Sequence, residues 1–167
     1  IVHFVPMMVW KGLSPEGAAF LLSGFAFMNL VAHFVIGWIA DQINKVRLVN
    51  WCMLLTFIGI VPLISTDALW GMFFFSALFT VLDSSIPVIW AAVGDYFGRQ
   101  RFGTIRGTMS FFYMWGSVLG PYLAGAMYDR DDSYAYVLWL LLSLVTASGI
   151  TTALLIRPWS RGVGHPD

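Results

Sequence analysis

Four side chains in this sequence have the types and surroundings to do chemistry in an apolar medium: Asn29, His33, Asp83 and Tyr113. An amide, an imidazole, a carboxyl and a phenol can each hydrogen-bond a polar molecule that enters a greasy environment. Asp83 is the lone carboxylate within a long apolar run. A carboxyl in such a site can take up a proton when enclosed and release it when wetted, which suits proton coupling. The alternative is a protonated, hydrogen-bonded structural Asp, and His33 is equally readable as a satisfied interior histidine. Ser76, Thr80, Asp83, Pro87 and Trp90 follow a 4-3-4-3 spacing and so share one helix face. That face is expected to line a cavity or the bundle interior. Asn29 and His33 share a second face, and Ser110, Tyr113 and Ser117 a third.

The elements that hold these groups are apolar and long. Of the 167 residues, 59% are hydrophobic and 11% charged, against about 25% charged in a soluble domain. A membrane-spanning helix needs about 20 mostly apolar residues, and five blocks approach or exceed that length: 17–40, 48–65, 68–94, 104–128 and 134–156. Residues 1–10 read as the end of a truncated transmembrane helix, and 158–167 as a tail. The expected fold is all-α, a polytopic membrane helix bundle. Asn29 stands 12 residues before Asp41, and Asp83 12 before Asp95. At a rise of about 1.5 Å per residue, both lie roughly 18 Å from the same boundary.

Charge orients the bundle. Taken alternately, the connectors place Lys45, Arg47, Arg99, Arg101, Arg106, Arg157 and Arg161 on one side, seven of the nine basic residues. Lys11 and Arg130 fall on the other. Cytoplasmic loops collect Lys and Arg, so the C-terminus is expected in the cytoplasm of a multi-pass cell-membrane protein. Ser14-Pro15-Glu16 forms a helix start, Ser65-Thr66-Asp67 another, and Arg157-Pro158 a helix end. A net charge of +0 leaves no excess for nucleic acid, and the single cysteine, Cys52, excludes an intrachain disulfide and a cysteine-based zinc site. No metal or cofactor is expected.

Three motifs carry a resemblance. Gly37, Asp41, Lys45 and Arg47 match the G-x-x-x-D-x-x-x-[RK]-x-[RK] loop of major facilitator superfamily transporters, with Asn44 where that family usually has Gly. The run from Gly94-Asp95 through Arg99 to Arg106-Gly107 resembles that family's loop between helices 10 and 11. Gly116, Gly120-Pro121 and Gly125, followed by Asp129, resemble its helix 11. Physically, Asp41 sits at a helix C-terminus, where the macrodipole disfavours an anion unless a cation or another helix start meets it. Gly116, Gly120 and Ala124 recur every four residues, a flat face suited to close packing, and Pro121 should bend its helix.

The resemblance implies the C-terminal six-helix half of a major facilitator fold, its first helix truncated, with the partner N-terminal half missing. It is closest to the branch of oxalate/formate exchangers and monocarboxylate carriers. That branch commonly has an Arg where His33 stands, so a permanent cation is replaced by one charged only near or below neutral pH. The implied function is a secondary transporter of a small organic solute, with an organic anion the leading class, working by alternating access with or without protons. Asn29, His33, Asp83 and Tyr113 would contact solute, with Gly37, Asp41, Lys45, Arg47, Asp95 and Arg99 forming a gating latch. The alternatives are a transporter-like sensor or assembly protein without flux, and an intramembrane enzyme. The second lacks a nucleophile elbow, an H-E-x-x-H motif and paired intramembrane aspartates.

Overall fold

The computed structural model describes residues 2–98 and 100–159. They form α1 (Phe4–Trp10), α2 (Pro15–Ala40), α3 (Lys45–Ser65), α4 (Leu69–Ser84), α5 (Ile86–Phe97), α6 (Phe102–Asp131) and α7 (Ala135–Trp159). Arg99 of the expected latch, and all but the start of the expected tail, lie outside the described residues. Four helical stretches are long and apolar enough to cross a membrane: Pro15–Ala40, Lys45–Ser65, Leu69–Phe97 and Ala135–Leu154. The block expected over 104–128 falls inside α6, whose apolar residues are diluted by glycine, tyrosine and hydroxyl side chains.

Local chemistry sets the boundaries. The Ser14 hydroxyl accepts a hydrogen bond from the Gly17 amide at 3.0 Å, with Pro15 in the first turn. Asn44 caps α3 in the same way, its Oδ1 accepting from the Arg47 amide at 3.1 Å. An Asn in place of the loop glycine therefore starts the next helix. The block expected over 68–94 is interrupted at Ser85, between α4 and α5. Pro87 explains the break: it has no N–H, so the carbonyl four residues back, that of Asp83, loses its helical partner. At the other extreme, α7 runs on through Arg157 and Pro158 to Trp159, past the expected stop.

The core lies where α1, α2, α3, α4 and α7 converge. Met8, Leu21, Phe25, Ile60, Leu63, Met72, Phe75 and Leu138 are buried there. A second cluster of Ile36, Ala40, Leu48, Val49, Cys52 and Val88 closes the end that carries Lys45. Gly59 permits the close approach of α3 and α4, since a Cβ there would sit 3.0 Å from Leu78 Cβ and 3.5 Å from Phe75 Cα. By contrast, α6 has no buried residue. Its Gly116 and Gly120 have open space where a Cβ would go, so the flat face expected to pack closely meets no described helix. A small-residue face packs only if a partner backbone reaches it, and among the described residues none reaches Gly116 or Gly120. Phe20, Phe27 and Phe34 likewise leave one stripe of α2 exposed and apolar, which water would penalise and lipid or further protein would not.

Candidate functional site

Three of the four polar residues expected to contact solute meet at the junction of α2 and α4. Asn29 Nδ2 donates to Asp83 Oδ2 at 2.7 Å, a short bond to a carboxylate. Asp83 occupies the last turn of α4, where the helix dipole opposes a negative charge. The Asn29 amide supplies the compensating donor. The Asn29 backbone carbonyl lies 2.8 Å from His33 Nδ1. A carbonyl only accepts, so Nδ1 carries the proton and donates. Ser84 Oγ lies 3.3 Å from the same nitrogen and passes its own proton to the Thr80 carbonyl at 2.8 Å. Nε2 is left without a partner among the described residues, as an acceptor when the ring is neutral and a donor when it is charged. Asn29, His33 and Asp83 are all half-buried, within reach of an entering molecule.

Ser84 is the member that the sequence reading missed. A signal existed: Ser76, Thr80 and Ser84 recur every four residues. They form a buried hydroxyl ladder in which Ser76 donates to the Met72 carbonyl and Thr80 to the Ser76 carbonyl, each at 2.8 Å. Ser76 and Thr80 are therefore turned into the core and satisfied by their own helix. Asp83 stands at the edge of that stripe rather than in line with it, and Pro87 is exposed. Tyr113 on α6 is 58% exposed and is not brought into contact with Asn29, His33 or Asp83.

Two ion pairs mark opposite ends of the bundle. Lys45 Nζ at the start of α3 meets Asp95 Oδ2 near the end of α5 at 2.7 Å. Lys11 Nζ, buried beneath the Trp10 ring, meets Asp67 Oδ1 at 2.8 Å. Of the expected latch residues, then, Lys45 and Asp95 are joined. Gly37 lies in the last turn of α2, where its carbonyl accepts the Asp41 amide at 3.3 Å. The side chains of Asp41 and Arg47 are exposed and make no ion pair with a described residue. At the Lys11 end, His3 Nε2 donates to the Pro121 carbonyl at 2.9 Å, and its Nδ1 lies 3.0 Å from the Tyr134 hydroxyl. This contact ties α1 to the proline turn of α6, and the His3 ring is the nearest atom set to Gly125.

Comparison with known proteins gives this geometry a context. A family model described as "Major Facilitator Superfamily" matches residues 3–164. Among curated proteins, the chain is similar to monocarboxylate transporter 7 from Homo sapiens, at 22% identity over 169 residues, covering 97% of this chain and 32% of that protein. It is 26% identical over 144 residues to monocarboxylate transporter 12 from Xenopus laevis, covering 80% of this chain and 30% of that one. With monocarboxylate transporter 2 from Mesocricetus auratus it shares 28% over 155 residues, 90% of this chain and 32% of that protein. The chain thus spans about a third of the length of these relatives.

Proposed function

Because the chain belongs to the major facilitator superfamily, a family of multi-pass membrane transporters rather than enzymes, we propose that it forms the C-terminal half of a secondary transporter for small organic anions. The missing N-terminal half would complete the pathway, and the chain would not transport alone. The observation that carries this reading is the Asn29–Asp83 bond of 2.7 Å between α2 and α4, with His33 held beside it. A carboxylate, an amide and an imidazole grouped beside a break in a membrane helix form a polar site in an apolar setting, as in other secondary transporters. The three relatives named above bear the name monocarboxylate transporter, which supports a carboxylate as the solute.

Asp83 is the proton carrier in this reading. Protonated, it keeps Asn29 as a partner through its remaining oxygen; ionised, it draws the amide donor close. His33 Nε2 and Tyr113 complete the contacts to solute as the two halves rock. Asp41 and Asp95, with Gly37, Lys45, Arg47 and Arg99, form a latch at the cytoplasmic end, the side of the cell membrane on which the C-terminus also lies. The Lys45–Asp95 ion pair of 2.7 Å supports this reading.

The full-length protein in proteoliposomes tests the reading directly. Inward pH gradients should drive uptake of radiolabelled acetate, L-lactate or pyruvate. Absence of flux for every probe, in either direction, would favour a sensor that keeps the architecture without transport.

A further inference from the structure

The seam between α5 and the start of α6 holds a cation that the site above does not use. Arg106 lies one turn into α6, its guanidinium carbon 5.4 Å from the Trp90 ring centroid and 5.9 Å from that of Phe102. Ring faces attract a guanidinium and fix the plane in which it lies. Phe102 is itself seated against α5, with its Cε2 3.5 Å from where a Cβ on Gly94 would stand. The cradle is therefore built from both helices.

Arg106 is also unengaged. Lys11 and Lys45 each meet a carboxylate within 2.8 Å, whereas the Arg106 side chain makes no hydrogen bond or ion pair with a described residue. A guanidinium held beside ring faces can still present its edge N–H donors, and these match the two oxygens of a carboxylate. A lysine cannot stack and fork in this way. Position adds to the argument. Tyr113 follows Arg106 by seven residues within α6, two helical turns, so the two lie on one face. Phe102 packs beside Gly94, the neighbour of Asp95, which pairs with Lys45, so the cradle stands below Tyr113 at the Lys45 end.

We infer that Arg106, seated on Trp90 and Phe102, is an anion-capturing subsite that takes the carboxylate of a small organic anion at that end of the pathway. The inference rests on the transporter reading and extends it. An ionised Asp83 would repel an approaching carboxylate, and an imidazole, unlike a guanidinium, supplies no permanent charge against it. A permanent cation at the entrance offsets that repulsion and raises the local concentration of anions.

Phenylglyoxal, which modifies arginines, tests the subsite on the unaltered full-length protein, with each arginine followed by peptide mass spectrometry. L-lactate should slow modification of Arg106 several-fold and leave Arg101 unchanged, while glucose, uncharged, should protect neither. Equal modification of Arg106 with and without L-lactate would overturn the inference. In flux measurements, Arg106→Lys should raise the KM for L-lactate at the Lys45 end by about tenfold, the loss of one charge-assisted hydrogen bond. Its kcat, and the KM at the opposite end, should stay within about twofold; equal changes at both ends would mean a structural role and count against the subsite. Protection of Arg106 without flux would keep the subsite and discard the transporter. Flux without protection would do the reverse.

Discussion

Asn29 on α2 and Asp83 on α4 are joined by a single 2.7 Å hydrogen bond, and Asn29 also holds His33 through its own backbone carbonyl. One residue therefore sets the position of both titratable groups at the junction. A shift of α2 along α4 would move the amide away from the carboxylate and the imidazole with it, so in the proposed transporter solute contact and proton exchange would change together.

Asp83→Asn separates the two roles. Asn can still pair with Asn29 through its amide oxygen, so the fold should survive, but it carries no proton. In proteoliposomes holding the full-length protein, uptake driven by a pH gradient should vanish while exchange of L-lactate for L-lactate continues. Persistent pH-driven uptake would remove Asp83 as the proton carrier.

Asn29→Leu leaves the Asp83 carboxylate half-buried without its amide donor. A lost hydrogen bond to a charged group costs about 1.5–3 kcal/mol. Asn29→Leu should therefore lower thermal stability at neutral pH, and much less so when combined with Asp83→Asn. A double-mutant cycle reads the coupling between the two sites, and additive changes would argue against a direct bond.

The Lys45–Asp95 pair lies at an exposed end of the bundle, with the Asp95 side chain 62% exposed. Exposed pairs contribute about 0–1 kcal/mol, so Asp95→Asn should barely alter stability. If the pair is a latch, that change should expose the Lys45 end to thiol reagents at a cysteine placed nearby, and exchanging the two charges should restore the original labelling. Asp41→Asn should shift labelling in the same direction; unchanged labelling would remove Asp41 from the latch.

Gly59 and Gly116 should respond in opposite ways. A side chain at Gly59 would press on Leu78, and such overpacking costs typically about 1–3 kcal/mol. Gly59→Val should therefore destabilise the protein in a thermal melt. Gly116 faces open space within this chain. If Gly116→Leu destabilises the full-length protein as strongly as Gly59→Val, the exposed face of α6 is covered there by the rest of the protein.

Much of the architecture was legible in the sequence because it depends on local quantities. Transfer of an apolar block into lipid depends on its length and composition, so most of the membrane helices could be read directly from apolar runs. Ser14 and Pro15 announce a helix start by their own chemistry, whichever neighbour packs beside it. The family resemblance was legible for a similar reason: turn residues and loop charges such as Gly37, Asp41, Lys45 and Arg47 act over a few positions.

What the sequence could not decide was which polar groups meet. Helical spacing placed Ser76, Thr80 and Asp83 on one broad face, but a face spans many degrees. Packing against α2 and α3 divided it, drawing the hydroxyls inward and leaving Asp83 at the edge. The same packing chose Asn29 as the partner of Asp83, brought Ser84 to His33 and set Arg106 over Trp90, contacts between residues 16 to 54 positions apart. Periodicity fixes direction about one helix axis. Distances between axes depend on how the helices settle together, and only the folded chain determines them.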